Sequence, residues 1–242
     1  MNLEGELRFG DVRYPARHTV VDAELLAGGA SIPVVVKKTR ITWRQRLGIT
    51  KAERSFRAAK ELLARGVATP EPLGFRVFRG EAWYVARRVE GAAQIRAWFL
   101  RRDDPGGPPP PLPIPFEDVV RELGRFARRM HDAGVFFRDL SDGNVLVAPG
   151  GALCVVDLNR ARIGRTVGAF ARLRDLSRPG LNQAGDRALL LEGYFAPSPV
   201  PAGAGTLLAL FRRRLVLWDE LKRRARPWRR GGSTVSYGVR GR

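Results

Sequence analysis

Residues 135–147 read VFFRDLSDGNVLV. Within them Asp139 follows an arginine, Asn144 comes five positions later, and a short apolar run closes the stretch. That spacing matches the loop pattern H-R-D-L-x-x-x-N, in which the acid serves as base and the amide binds metal. Three letters alone would be a weak signal, so the weight rests on what stands around them.

Phosphoryl transfer needs few parts, because its catalysis is mostly positioning and charge neutralisation. A strand lysine holds phosphates, an Asp orients and deprotonates the acceptor hydroxyl, and an Asn with a second Asp holds Mg²⁺. The chain offers these parts in order. Lys37 or Lys38 ends the run IPVVVKK, Asp139 and Asn144 follow in the loop, and Asp157 stands near the end of LCVVDL. Asp157 lies eighteen residues past Asp139, enough for one hairpin to fold the second acid back beside the first. Side chains alternate along a strand, so only one of the two lysines can face the cleft.

Outward from the loop, the pattern is β-rich first and helical later. The stretch HTVVDAELLAGGASIPVVVKK reads as two strands about a Gly-Gly turn, the second over 32–38. From Thr50 to Arg65, Ala52, Phe56, Ala59 and Leu63 recur at helical spacing, and Gly66 stops the helix. GFRVFRG and AWYVARRV form a hairpin around Gly80-Glu81, and a short helix covers about 92–101. Residues 103–115, DDPGGPPPPLPIP, cannot pack as helix or central strand and read as a loop. The helix over about 116–133 has one apolar face: Val119, Val120, Leu123, Phe126, Ala127 and Met130. Strands NVLVA and LCVVDL, joined by a Gly-Gly turn, then give way to a mainly helical remainder. The expected architecture is α+β: a bilobal, protein-kinase-like fold with a small β-rich N-lobe over 1–90 and a mainly helical C-lobe over 91–225. A basic tail, 226–242, completes the chain.

Composition narrows the class. Lys and Arg number 43 against 24 Asp and Glu, a net charge of +19, and residues 212–242 hold eleven basic residues against Asp219 and Glu220. Such a surface draws polyanions: nucleic acid, anionic lipid or phosphorylated sugar. Aromatic residues are not interleaved with the basic ones, so no nucleic-acid partner is expected. One cysteine, Cys154, excludes an internal disulfide framework and reads as a small buried residue, and two histidines cannot build a zinc site. MNLEGELRFG has no signal-peptide character, and no apolar run reaches the length of a membrane span.

Three segments together, KAERSFRAAKELLARGVATPEPLGF, RRMHDAGVFFRDLSDGNVLV and VVDLNRARIG, resemble the bacterial lipopolysaccharide kinase family. The similarity runs from about Val34 to Tyr194. It implies an ATP-dependent kinase that phosphorylates a hydroxyl of Kdo or heptose in the inner core. By that resemblance Asp139 is the catalytic base, Asn144 and Asp157 hold Mg²⁺, and Lys37 is the phosphate lysine. The implied setting is cytoplasmic, peripheral at the inner membrane, where a lipid-borne glycan is the acceptor and the anionic bilayer surface a second partner. The alternatives are an aminoglycoside-phosphotransferase-like kinase of soluble molecules, which the net charge disfavours, and a pseudokinase binding module.

The chain departs from the family at two points. Phe137 replaces the His before Arg-Asp, while His131, in MHDAG, reads as a core or capping residue. Aligned on ARGVATP, Ser55 stands where the family often has the Glu that pairs with the strand lysine. Glu53 lies off that apolar face and reads as a solvated charge beside Arg57 at i+4, and Glu61 points further away still. No Walker A or G-x-G-x-x-G loop precedes the first strands; LAGGAS reads as a hairpin turn.

Overall fold

The computed structural model describes residues 5–14, 19–41, 48–164 and 166–225. Its architecture is α+β. Three long strands open the chain: β1 (Glu6–Tyr14), β2 (Thr19–Ala27) and β3 (Ala30–Arg40). Helix α1 (Lys51–Ala64) leads to β4 (Pro72–Phe78) and β5 (Glu81–Arg87), and the five strands form one antiparallel sheet in the order β1-β2-β3-β5-β4. The short β6 (Ala93–Gln94), helix α2 (Arg96–Asp103) and helix α3 (Phe116–Asp132) follow. Next come β7 (Val135–Phe136), the hairpin β8 (Val145–Val147) and β9 (Leu153–Val155), a 3₁₀ turn at Leu158–Arg160, and β10 (Arg162–Ile163). Helices α4 (Ala169–Leu176), α5 (Ala184–Phe195) and α6 (Ala204–Ala225) end the described chain.

The local rules explain most boundaries. Gly28 and Gly29, both at positive φ, make the two-residue turn between β2 and β3. Helix α1 starts where the Thr50 hydroxyl accepts from the Glu53 amide at 3.2 Å, and stops at Gly66 with φ +72°. All six residues expected on the apolar face of α3 are buried.

Several expectations need correction. Strand β1 is additional: its register against β2 shifts twice between Phe9 and Tyr14, and those bulges break the alternation by which a strand is recognised. The turn between β4 and β5 is Arg79-Gly80, both at positive φ, one residue earlier than expected, and Glu81 belongs to β5. Helix α2 begins at Arg96 rather than near 92, because Ala93 and Gln94 pair with β8. Strands β8 and β9 are each three residues long, and Asp157 lies beyond β9 because its φ of +60° ends the extended run.

Two apolar clusters fill the interior. One lies on the sheet face of Ala23, Leu25, Val34, Val36 and Val85. The larger gathers α1, α2, α3 and the β8–β9 hairpin with α5 and α6, around Leu62, Trp98, Leu123, Met130 and Leu190. The proline-rich segment lies on the larger cluster: Leu112 and Ile114 pack against it, and Trp98 Nε1 donates to the Ile114 carbonyl at 2.8 Å. Helices α3 and α5 meet through glycines, where a Cβ on Gly193 would overlap the Arg121 carbonyl and one on Gly124 the Leu190 carbonyl. Cys154 is buried, and burial pushes its thiol up to about 11.

Candidate active site

The two lysines of β3 point to opposite faces of the sheet. Lys38 lies over the rings of Phe9 and Trp83, 3.7 and 4.6 Å from their centroids, on the face of Val34 and Val36. Lys37 faces the other way, and its Nζ lies 2.6 Å from Asp157 Oδ2. Across the sheet Lys37 pairs with Tyr84, whose phenol is pushed up by burial and stays neutral.

The loop of Asp139 is fixed from below by Asp175 of α4. This carboxylate is fully buried and accepts from the backbone amides of Phe137 and Arg138 at 2.8 and 2.9 Å. Those bonds hold Arg138 at φ +63°, a conformation that side-chain-bearing residues adopt only when their surroundings enforce it. Phe137 fills the core, and His131 sits buried between Tyr194 Oη at 2.9 Å and Asp175 Oδ2 at 3.5 Å. Arg172 Nη1 donates to the same Tyr194 oxygen at 3.0 Å. His131 is therefore a core support of the loop.

Above that floor, Asp139 turns its carboxylate toward solvent, with Arg160 Nη1 3.3 Å from Oδ2. The Asp139 backbone carbonyl accepts from Ser141 N at 2.7 Å and from Asn144 Nδ2 at 2.9 Å. With its nitrogen so engaged, the side chain of Asn144 has its amide oxygen left as an acceptor. Arg96 of α2 grips the nearly buried Asp142 at 3.3 Å and ties the loop to the helical side. Hairpin register does the rest: Val145 opposes Val155, Val156 N donates to Asn144 O at 2.9 Å, and Asp157 is the next residue.

Asp157 is the meeting point. Besides Lys37 it accepts from Asn159 Nδ2 on Oδ1 at 2.8 Å, and Asn159 Oδ1 accepts from the Ser55 hydroxyl at 2.9 Å. Both glutamates of α1 pair along their own helix, Glu53 with Arg57 at 2.6 Å and Glu61 with Arg65 at 2.8 Å. Lys37 thus meets Asp157, Asn144 meets Asp139, and the β8–β9 hairpin joins the two pairs. Sequence reasoning missed Asn159, Arg160, Arg96, Asp142 and Asp175. The first two stand beside Asp157 in the chain and could have been suspected; Asp175 lies 36 residues from Asp139 with no local mark.

The model of the lipopolysaccharide kinase (Kdo/WaaP) family matches residues 34–182, a span that contains Lys37, Asp139, Asn144 and Asp157 and most of the described fold. The chain belongs to that family. A 3-deoxy-D-manno-octulosonic acid kinase of Xylella fastidiosa (strain M12) is 28% identical to it over 146 residues, 58% of this chain and 54% of the relative. The chain thus spans about half the length of that relative.

Proposed function

We propose that this family member is an ATP-dependent kinase with a bilobal, protein-kinase-like arrangement, phosphorylating a hydroxyl of an inner-core lipopolysaccharide sugar. The division into 1–90, 91–225 and a tail 226–242 belongs to the same reading, and the tail lies outside the described residues. The observation that carries it is the 2.6 Å Lys37–Asp157 pair, set one hairpin register away from the Asp139–Asn144 loop. In this reading Asp139 takes the acceptor proton, Lys37 holds the nucleotide phosphates, and Asn144 and Asp157 hold Mg²⁺.

The donor set suits Mg²⁺. An amide oxygen and a carboxylate are hard donors, and this ion commonly takes one or two protein oxygens, leaving other positions to water and phosphate. Bound there, Mg²⁺ would neutralise charge on the transferring phosphoryl group. The relative's name favours Kdo over heptose as the acceptor. Incubating the protein with Mg·ATP and a panel of core-truncated glycolipids, with fragment mass spectrometry of the products, decides the sugar. Phosphate on heptose and none on Kdo would move the acceptor; phosphate on neither would refute the reading.

The opposite facing of the lysines gives a second test. Lys37→Ala is expected to lower turnover by about 10²–10³-fold, the worth of one positioned charge donor. Lys38→Ala, which removes only the contacts to Phe9 and Trp83 on the far face, stays within about fivefold of wild type, since such a contact is worth only about 0.5–1 kcal/mol. Equal losses in steady-state kinetics would contradict the assignment.

We further place the protein at an anionic membrane surface on the cytoplasmic side. Among the described residues no helix is long and apolar enough to cross a membrane. Leu207, Leu208, Phe211, Leu215 and Trp218, which helical spacing places on one side of α6, divide in two. Leu208 is fully buried, whereas Leu207 and Trp218 join Leu210, Leu217 and Leu221 on an exposed stripe. Exposed Arg213, Arg214 and Arg224 accompany that stripe. Each basic residue near an anionic surface contributes about 1 kcal/mol, an attraction that salt screens. Co-sedimentation with vesicles should require anionic lipid, fall steeply between low and moderate salt, and weaken on deletion of residues 222–242. Binding unaffected by salt, or none, would contradict this placement.

A further inference from the structure

Helix α1 carries Ser55 where a lysine-pairing glutamate is expected, and the structure shows what Ser55 does instead. Its hydroxyl is buried and reaches Asn159 Oδ1 at 2.9 Å, across 104 residues of sequence. Asn159 then spends its amide nitrogen on Asp157 Oδ1 at 2.8 Å, while Lys37 holds Oδ2 at 2.6 Å. The direction of this chain of bonds is fixed by chemistry. A carboxylate only accepts, so the Asn159 nitrogen must face it, and the oxygen left behind can only accept from the Ser55 hydroxyl. A single orientation of the amide satisfies both neighbours.

We propose that Ser55 and Asn159 are positioning residues that set the plane of the Asp157 carboxylate, a neutral relay standing in for an acidic partner on α1. The relay rests on the reading of Asp157 as a metal and phosphate-site residue. Asp157 needs such support because its own backbone, at φ +60° and ψ +59°, lies in the left-handed region just past the end of β9. Bonds to both carboxylate oxygens prevent rotation about the terminal side-chain torsion, which is otherwise broad. The relay also sets the charge. A glutamate at position 55 would add a negative charge beside Asp157, whereas Ser and Asn add none. It further couples α1 to the 3₁₀ turn, so the position of the helix is transmitted to the acid by two hydrogen bonds.

The test is calorimetric titration of the full-length protein with ADP, once with Mg²⁺ and once with the metal chelated. Partners that orient a metal ligand typically matter about 10–100-fold in metal affinity. Ser55→Ala and Asn159→Ala should each weaken Mg·ADP binding by about that much and leave metal-free ADP within about twofold. The double variant should be no weaker than Asn159→Ala alone, because the two act in series. Ser55→Thr, which keeps the hydroxyl, should restore most of the affinity. A merely structural role would shift metal-free and metal-loaded binding alike, and that outcome overturns the proposal. Asp157→Ala separates the two layers. If it weakens Mg·ADP while the Ser55 and Asn159 variants do not, the relay is wrong and the site reading stands. If Asp157→Ala itself leaves Mg·ADP unchanged, both fall.

Discussion

Asp139→Asn lowers turnover by about 10²–10⁴-fold, the usual worth of a positioned base. The protein should still fold and bind nucleotide as wild type does. The expectation is sharp because the side chain and the backbone of Asp139 have separate tasks. Its backbone carbonyl, not its carboxylate, accepts from Ser141 N and Asn144 Nδ2, so the loop geometry survives the change. The carboxylate faces solvent, with Arg160 as its neighbour at 3.3 Å, and an isosteric amide fills the same space. What the amide cannot do is accept a proton from an incoming hydroxyl. Stopped-flow measurement with saturating Mg·ATP should therefore show intact binding and a slow transfer step. Wild-type turnover in this variant would remove Asp139 from the chemistry.

Asp175→Ala should be the most damaging substitution for stability. The carboxylate is buried beneath the loop and accepts from two backbone amides, with His131 beside it. Alanine leaves both N–H groups without an acceptor, at about 1–3 kcal/mol each, so urea denaturation should show a loss of roughly 2–6 kcal/mol. Arg138 would then lose the bonds that hold it at positive φ, and activity should fall beyond the loss in folded fraction. Asp175→Asn keeps one acceptor oxygen and should fall between wild type and Asp175→Ala. A loss below about 1 kcal/mol for Asp175→Ala would mean that the loop is held by other contacts.

What could be read from sequence follows how local each feature is. Helix α1 was legible because Thr50, Ala52, Phe56, Ala59 and Gly66 state its start, face and stop within seventeen residues. Helix α3 was legible for the same reason, since its apolar face is unbroken. Strand β1 was not, because its bulges break a period that must hold over several residues to be seen. Nor was the orientation of α6, whose leucines recur on more than one face, so that only the neighbours at Leu208 decide which is buried. The same divide runs through the site. Asp139, Asn144 and Asp157 lie within nineteen residues on one loop and hairpin, so order and spacing were enough to bring them together. Ser55, Asp175 and Arg96 act from other helices, and no spacing rule reaches across that distance. Ser55 stood out only as an apparent defect, and its bond to Asn159 gives that position a physical role.

In the proposed reaction Lys37, Asp139, Asn144 and Asp157 move a phosphoryl group from ATP to a core sugar. The most direct test is mass spectrometry of a Kdo-bearing lipopolysaccharide precursor incubated with the protein, ATP and Mg²⁺, beside Asp139→Asn at equal concentration. The expected product is one phosphate heavier, formed only with the metal present and strongly reduced with the variant. An acceptor left unmodified by wild-type protein in stoichiometric amount, or modified equally well by Asp139→Asn, would contradict it.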